Sequence, residues 1–229
     1  TVAIWERDAD SCAATAAELG GVLGIVADVR DSGQVDAALA RTRDELGPVS
    51  ILVNNAGGVF ASPPCWTPAK NGWDALYKAN LRHVLLCTQR VARQLVEDAR
   101  GGSVISVTSI EGGVRAAPGY AAYSAAKAGG VVNYTRTAAF ELAPHGIRVN
   151  AIAPDITVTE GLLALSPNGI RPELSQAVPL GRLGDVDEIA SAAVFSRLGH
   201  GALHHRSDAA RRRRYPGCGR VVPRRGRRT

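Results

Sequence analysis

The chain has 229 residues, 45% of them hydrophobic and 5% aromatic, which suits a single domain with a sizeable core. Its net charge of +6 is unevenly placed, because 11 of the 27 basic residues but only one of the 21 acidic residues follow Phe195. A nucleic-acid-binding function would therefore depend on this tail alone, and no run of about 18 apolar residues is present to span a membrane.

Short apolar runs alternate with helical segments along the body of the chain. The predicted strands occupy residues 2–5, 22–27, 49–53, 103–108 and 147–152, and the predicted helices occupy residues 8–19, 31–46, 72–99, 119–142 and a segment from 185. Strands that are continuous apolar runs are typical of a parallel sheet covered on both faces. The predicted fold class is therefore α/β, a doubly wound, Rossmann-like parallel sheet over residues 1–195 with its binding crevice at the carboxyl ends of the strands.

The cysteines and the first residues indicate the compartment. The chain opens with acidic residues where a secretory signal would need basic ones. The four cysteines have no metal-ligand spacing, so we predict reduced thiols in a cytoplasmic protein and no metal site; they are Cys12, Cys65, Cys87 and Cys218. His83 is interpreted as a surface or packing residue.

A tyrosine and a lysine four positions apart form the strongest chemical pattern, YSAAK from Tyr123 to Lys127. On a helix these two side chains lie about one turn apart on the same face. A free tyrosine has a pKa near ~10, and a nearby ammonium group lowers that pKa by favouring the phenolate. We therefore expect Tyr123 to take a proton from an alcohol or, in reverse, to give one to a carbonyl oxygen.

Further polar groups fall at the predicted carboxyl edge of the sheet. Ser109 follows the strand at 103–108, and its hydroxyl is expected to hydrogen-bond the substrate oxygen. The segment Asn54-Asn55-Ala56-Gly57 closes another strand, and Asn80 lies in the long helix that comes next. These groups are expected to share one crevice with Tyr123, because the carboxyl ends of parallel strands meet at one edge.

Other residues of the same types compete for these roles. Tyr120 is the rival phenol, but it lies seven positions, or about two helical turns, from Lys127. Ser106 and Ser124 are the rivals to Ser109. Ser106 lies inside a predicted strand, and Ser124 points elsewhere on its helix.

These elements in this order resemble the single-domain branch of the short-chain dehydrogenase/reductase family over residues 1 to about 195. The resemblance implies an oxidoreductase in which Tyr123 is the acid and base and Ser109 the catalytic serine. It also implies that Lys127 holds the nicotinamide ribose and that Asn80 supports a proton relay through water. Asn55, Ala56 and Gly57 would lie beside the cofactor.

The residues after the first two predicted strands bear on the choice of cofactor. An acidic residue such as Glu6 accepts hydrogen bonds from the adenosine ribose hydroxyls and repels a 2′-phosphate, which favours NAD over NADP. Arg7 follows directly and argues the reverse. Asp28 and Val29 resemble the family's adenine-contacting position, and the alternative for Asp28 is a turn that leads into a helix.

The loop after the strand at 147–152 departs from the family's pattern. The family has Pro-Gly followed by a threonine that contacts the nicotinamide carboxamide. Here Pro154 is followed by Asp155, and Thr159 fits the threonine position. We expect Pro154 and Thr159 to contact the cofactor, while the missing glycine leaves the shape of the loop open. The segment to about residue 177 would be the substrate lid.

The family's phosphate-binding element is expected to lie outside this sequence. If Glu6 is the ribose-binding residue, the Gly-rich phosphate turn about 20 positions earlier would precede Thr1. We therefore expect an N-terminal truncation that removes the first strand, which is central in the sheet.

The Arg-rich segment 196–229 is expected to be a disordered tail that replaces the last strand. Codons chosen for residues 196–214, read from their second base, encode RVSDTARYITGATLPVDG, which is the ending that the family has. This motivates the hypothesis of a frameshift in the gene or its sequencing, and an unambiguous in-frame Arg-rich ending on resequencing would end it. The rival is a basic arm that binds nucleic acid.

The sequence thus predicts an NAD-dependent oxidoreductase acting on a small-molecule secondary alcohol or ketone. A 3-oxoacyl thioester, a steroid and a small cyclic alcohol all remain open as substrates. The resemblance implies a homodimer or homotetramer. The alternatives are a catalytically inactive fragment or a binding protein with a basic arm. A sugar-nucleotide epimerase of the extended branch shares Tyr-x-x-x-Lys but is disfavoured by the short chain.

Overall fold

The computed structural model describes residues 1–59, 65–66, 72–112, 115–164, 166 and 169–197. Its strands are β1 (Ala3–Glu6), β2 (Leu23–Val26), β3 (Ile51–Asn54), β4 (Gly102–Val107) and β5 (Ile147–Ile152). Its α-helices are α1 (Ala9–Glu18), α2 (Ser32–Leu46), α3 (Gly72–Tyr77), α4 (His83–Glu97), α5 (Ala121–Ser124), α6 (Asn133–Leu142), α7 (Glu160–Ala164), α8 (Pro172–Gln176) and α9 (Val186–Arg197). The predicted disorder of the Arg-rich tail falls on residues outside the described part, apart from its first two residues.

Aspartate side chains fix the starts of the first two helices. The carboxylate of Asp8 accepts a hydrogen bond from the backbone N–H of Ser11, and that of Asp31 accepts one from Gln34. Each bond satisfies one of the backbone donors that a helix leaves free in its first turn. The cap predicted at Asp31 is therefore confirmed.

The strands form two parallel groups. In one group β1 pairs with β2, and in the other the order is β3-β4-β5. The parallel α/β architecture is confirmed, but the predicted sheet is divided between β1 and β3. The edge of β3 that faces away from β4 carries the partly exposed apolar residues Ile51 and Val53, at 37% and 48% exposure.

Helices cover the strands on both faces. One core cluster joins Val104 on β4 and Val149 on β5 to residues of α2, α4 and α6, and Trp5 on β1 packs against it. Ser103 points to the opposite face from its neighbour Val104, and its hydroxyl donates to a carbonyl of α9 at 3.4 Å. The two strand groups therefore share a helical layer, and α9 lies on the other side of β4.

Two π-helical segments interrupt the long helices that the sequence predicts as continuous. The first π segment (Lys78–Arg82) joins α3 to α4, and the second π segment (Ala125–Val132) joins α5 to α6. The two π segments pack against each other, and a Cβ on Gly130 would lie 2.6 Å from the side chain of Leu81. Gly130 therefore permits this close approach, which matters for the site because Asn80 and Lys127 lie on the two segments.

Among the described residues, none of the helices has the length and apolar character that crossing a membrane requires.

Candidate active site

Lys127 lies at the centre of the site, on the second π segment. Its side chain is 4% exposed, and its ammonium group donates a hydrogen bond to the backbone carbonyl of Val107 at 2.9 Å. Burial lowers the pKa of Lys127 to about 8, so the ammonium form still dominates at neutral pH. The hydroxyl of Thr108 donates to the carbonyl of Lys127 at 3.1 Å. These two bonds fix Lys127 to the carboxyl end of β4.

Tyr123 lies one turn before Lys127, as the spacing predicts. The ammonium nitrogen of Lys127 lies 5.9 Å from the centre of the Tyr123 ring. The rival phenol, Tyr120, packs edge-to-face on Tyr123 with ring centres 5.9 Å apart. The hydroxyl of Ser109 lies near enough to the Tyr123 phenol to lower its pKa. The structure therefore brings the predicted phenol, ammonium and serine hydroxyl together.

The expected activation of Tyr123 by Lys127 is wrong for this structure. Burial raises the pKa of Tyr123 above its ordinary value, and the nearby hydroxyl of Ser109 lowers it by less. The nearby charge of Glu111 adds to the increase. The ammonium group of Lys127 is directed at the Val107 carbonyl, so its proximity to Tyr123 does not offset the loss of water around the phenol.

Asn80 connects the first π segment to the loop after β3. It is fully buried, and its amide oxygen accepts from the backbone N–H of Gly58 at 3.0 Å. Its amide nitrogen donates to the carbonyls of Gly58 at 2.8 Å and Leu76 at 3.1 Å. The side chain of Asn80 therefore fixes the backbone of this loop.

Gly57 lies between Asn80 and Lys127. A Cβ at Gly57 would be 2.8 Å from the amide oxygen of Asn80 and 3.4 Å from the ammonium nitrogen of Lys127, and its φ is 151°. A side chain here would collide with Asn80 and crowd Lys127. Asn55 and Ala56 before it are exposed at the same edge. The absence of a side chain at Gly57 therefore permits the close approach of Asn80 and Lys127 to this loop.

Asn54 anchors this loop to the sheet. Its buried amide nitrogen donates to the hydroxyls of Thr88 on α4 and Ser106 on β4, at 3.1 and 3.2 Å. The hydroxyl of Ser106 is 1% exposed, so this rival serine belongs to the scaffold. Asn54 therefore ties the end of β3 to β4 and α4.

The residues predicted to bind adenosine lie at the ends of β1 and β2. The carboxylate of Glu6 accepts from the backbone N–H of Asp8 at 2.9 Å, which holds it in the loop after β1. The carboxylate of Asp28 is held by Arg30 through bonds of 2.9 and 3.0 Å to Nε, and this hydrogen bonding lowers the pKa of Asp28 to about 2. Val29 next to it is half-buried. An adenine contact at Asp28 would have to share the carboxylate with Arg30.

Arg82 links the residues predicted to bind adenosine to those around Tyr123. It belongs to the first π segment, two positions after Asn80, and its guanidinium donates to the carbonyl of Arg30 at 2.8 Å. The loop after β2 is therefore fixed to the helix that carries Asn80, and both groups of predicted residues flank the start of α4.

Pro154 and Thr159 occupy the loop after β5. The carbonyl of Pro154 accepts from the backbone N–H of Ile110, beside Ser109, at 3.1 Å. The exposed hydroxyl of Thr159 accepts from the N–H of Leu162 at 3.1 Å and caps the start of α7. Pro154 thus adjoins the site, whereas the Thr159 hydroxyl is engaged by its own helix.

Sequence reasoning missed two residues beside this site and left the burial of His83 open. Glu111 has a largely buried side chain next to Tyr123, and Arg115 pairs with it. His83 is 2% exposed, and burial, with a smaller effect of the Lys127 charge, lowers its pKa to about 4. Neither ring nitrogen of His83 has a hydrogen-bond partner in the described part of the chain. No sequence spacing signals these positions, since each depends on how the loops and helices pack.

The described residues contain no group of three or more His, Cys, Asp or Glu side chains that could hold a metal ion.

Comparison with known proteins shows what this chain is similar to. The family model described as enoyl-(acyl carrier protein) reductase matches residues 1–196. Nodulation protein G of Azospirillum brasilense is 40% identical over 173 residues, which are 73% of this chain and 66% of that protein. A 3-oxoacyl-[acyl-carrier-protein] reductase of Synechocystis sp. is 34% identical over 176 residues, which are 77% of this chain and 68% of that protein. The chain thus spans about two thirds of the length of these curated relatives.

A solved structure extends this likeness to three dimensions. The 3-ketoacyl-(acyl-carrier-protein) reductase from Brucella melitensis, complexed with NADH, is 31% identical and superposes with a TM-score of 0.77. The match covers 87% of this chain and 81% of that one.

Proposed function

The chain belongs to the short-chain dehydrogenase/reductase family, and we propose that it is an oxidoreductase that transfers a hydride between NAD(H) and a secondary alcohol or ketone. The observation that carries this proposal is the convergence of Tyr123, Ser109 and Lys127 at the carboxyl end of β4. A phenol beside a serine hydroxyl gives two groups that can hold one substrate oxygen.

Tyr123 would exchange the proton of the substrate oxygen. In reduction it gives its phenolic proton to the carbonyl oxygen, and in oxidation it takes the proton of the hydroxyl group. Burial raises the pKa of Tyr123, so its phenol carries a proton that it can donate at neutral pH. Ser109 would hold the same oxygen through its hydroxyl and so orient the substrate.

Lys127 would hold the nicotinamide ribose, and Asn80 would hold the loop beside it. An ammonium group has three donors, of which the bond to Val107 uses one, so two remain for ribose hydroxyls. Asn80 fixes Gly58, and the missing side chain at Gly57 keeps the ammonium group uncrowded. The nicotinamide ring, when bound, supplies or accepts the hydride.

The described residues fit the two ends of a dinucleotide better than its centre. Glu6 and Asp28 offer carboxylates to the adenosine side, while Pro154, next to Ser109, adjoins the nicotinamide side. By contrast, α1 begins with the cap at Asp8 and carries Asp10 in its first turn, so its N-terminus repels phosphate instead of binding it. No phosphate cradle of that kind follows β1 in the described residues.

The acidic side chain of Glu6 supports NAD in preference to NADP. A carboxylate fixed in the loop after β1 can accept hydrogen bonds from ribose hydroxyls but disfavours a 2′-phosphate. Arg7 beside it is exposed. Affinity for NADH well above that for NADPH is the expected result, and a preference for NADPH would overturn this choice.

The substrate class is proposed from the relatives' names. A 3-oxoacyl thioester is the first candidate, since the Synechocystis relative and the Brucella structure are both named as reductases of this class. On the lid side, α7 presents Leu163 at 50% exposure, which suits an apolar chain. Steroids and small alcohols are the next classes to screen.

A groove between α4 and α6 supports assembly as a homodimer or homotetramer. It has a volume of about 700 Å³ and an apolar floor. The residues that line it include Leu85, Leu86, Val96, Tyr134, Ala138 and Leu142.

We further propose a cytoplasmic location, because the cysteines of the described residues, Cys12, Cys65 and Cys87, are all free thiols.

The experiment is a screen of ketones and alcohols from the three classes, with NADH or NAD and turnover followed by NADH absorbance. NADH binding is measured in parallel by fluorescence titration of the same 229-residue chain. Turnover that Tyr123→Phe abolishes supports the proposal. Binding without turnover on any class would favour the alternative, a chain that keeps the fold and part of the cofactor site without catalysis. The division of the strands into two separate groups is the observation behind that alternative.

A further inference from the structure

The loop after β4 and the loop after β5 meet beside Ser109. The backbone N–H of Ile110 donates to the carbonyl of Pro154 at 3.1 Å. The backbone N–H of Glu111 donates to the hydroxyl oxygen of Ser109 at 3.3 Å. The position of the Ser109 hydroxyl therefore depends on how these two loops are held together.

Arg115 connects the two loops through its guanidinium group. Its Nε lies 3.5 Å from a carboxylate oxygen of Glu111, on the loop after β4. Its Nη1 lies 3.8 Å from a carboxylate oxygen of Asp155, on the loop after β5. The backbone N–H of Arg115 donates to the carbonyl of Ile110 at 3.0 Å. One side chain thus contacts both loops within a few residues of Ser109.

Glu111 needs this cation more than an exposed carboxylate would. Its side chain is 12% exposed, and its Oε2 is buried without a hydrogen-bond partner among the described residues. A buried carboxylate is costly unless a positive charge balances it. Arg115 supplies that charge next to Tyr123.

Asp155 is the residue that departs from the family's pattern, which has glycine after the proline. A glycine has no side chain with which to reach Arg115, so the ionic contact between the loops depends on the aspartate present here. Asp155 also accepts the backbone N–H of Ile156 at 2.7 Å, which fixes its carboxylate at the start of the loop.

We propose that Arg115 is a positioning residue: by bridging Glu111 and Asp155 it holds the two loops together and keeps the Ser109 hydroxyl opposite Tyr123. The inference rests on the proposed function in assigning Ser109 and Tyr123 to the substrate oxygen. Arg115 itself touches neither substrate nor cofactor in this account.

Hydrogen exchange of the backbone amides tests the bridge in the absence of any ligand. Arg115→Ala and Asp155→Gly are expected to lower the protection of the amides at 110 and 111 by about tenfold, because the loops then separate more often. Arg136→Ala, which removes an exposed arginine on α6, is the matched control and leaves them unchanged. Unchanged protection in both Arg115→Ala and Asp155→Gly would overturn the inference.

A titration of Tyr123 by tyrosinate absorbance, taken as the difference from Tyr123→Phe, provides a readout that a merely structural role would not change. Arg115→Ala should raise its midpoint by exposing Tyr123 to the unbalanced charge of Glu111. Glu111→Gln should lower the midpoint of the Tyr123 titration. The variant that carries both substitutions should have the same midpoint as Glu111→Gln. Equal midpoints in all variants would contradict the proposal. The substitutions leave the other ionisable residues around the phenol in place. These residues are Tyr120, Lys127 and, on α3, Asp74 and Tyr77.

These readouts separate the inference from the proposed function. If exchange and titration respond but no ketone is reduced, the bridge stands and the proposed function fails. If turnover is found, Arg115→Ala should lower kcat several-fold with little change in KM, since the variant misplaces Ser109 without removing a substrate contact. Full kcat in Arg115→Ala would overturn the positioning role while leaving the proposed function intact.

Discussion

The ammonium group of Lys127 donates a hydrogen bond to the carbonyl oxygen of Val107, at the carboxyl end of β4. The helical spacing of Tyr123 and Lys127 is as predicted, yet burial raises the pKa of Tyr123. Under the proposed function, the remaining donors of this ammonium group would bind the nicotinamide ribose.

Lys127→Met is expected to make the protein more stable and less able to bind NADH. Burial lowers the pKa of Lys127 from 10.5 to about 8, so below pH 8 the folded chain carries a charge that the unfolded chain accommodates better. Removing it should add about 1–2 kcal/mol to the free energy of unfolding at pH 7, after the loss of the Val107 bond is taken into account. Urea denaturation and NADH titration measure the two effects.

Lys78→Met, which removes an exposed lysine on the first π segment, is the control for Lys127→Met. The parent chain should also gain stability as the pH rises from about 8 to 9, because Lys127 loses its proton first in the folded state; above pH 9 the raised pKa of the buried Cys87 thiol acts in the opposite direction. That slope should disappear in Lys127→Met. A variant less stable than the parent at pH 7 would show that the buried charge is well compensated.

His83 is expected to make the protein sensitive to mild acid. Its pKa is about 4 in the folded chain against an ordinary 6.5, so the unfolded chain binds the proton first as the pH falls. Stability is complete above pH 6.5 and is lost progressively down to pH 4, by on the order of 3 kcal/mol. Urea denaturation at pH 7 and 4.5 measures the loss.

His83→Leu should remove most of this loss, whereas His145→Leu, at an exposed position, should keep it. The carboxylates with lowered pKa values, Asp28 and Glu188, titrate at about 2 and act mainly below this window. Equal acid sensitivity in the parent and His83→Leu would contradict the account of His83.

Gly57→Ala is expected to weaken NADH binding by about tenfold or more, because the added Cβ would clash with Asn80 and crowd Lys127. Gly58→Ala is the matched control, since a Cβ there meets nothing within 4 Å. Fluorescence titration with NADH measures both, and the affinity of Gly58→Ala should stay within about twofold of the parent. Equal binding by Gly57→Ala and Gly58→Ala would mean that the ligand does not lie beside this loop.

Local patterns in the sequence were enough to predict the strands and helices and the residues that lie near Tyr123. Continuous apolar runs identified the strands, and β5 lies at residues 147–152 as predicted. Asp31 caps α2 because an aspartate side chain can reach the free N–H groups of a first turn. Helical periodicity likewise brought Tyr123 and Lys127 to one face.

Features set by packing between distant segments were not predictable in this way. The π segments depend on the close approach that Gly130 allows to Leu81, and the direction of the Lys127 ammonium group depends on a carbonyl 20 residues away. The bridge of Arg115 to Asp155 joins two loops that only the sheet brings together. Composition and spacing carry no information about such contacts.

The most direct test of the account is the comparison of Tyr123→Phe with the parent chain on the best ketone substrate from the screen. The account predicts that NADH binds both with similar affinity, because Lys127 and Gly57 are unchanged, while kcat falls by about a thousandfold or more when the proton donor is lost. Turnover by Tyr123→Phe at a rate near that of the parent would contradict the role of Tyr123 and, with it, the proposed function of this site.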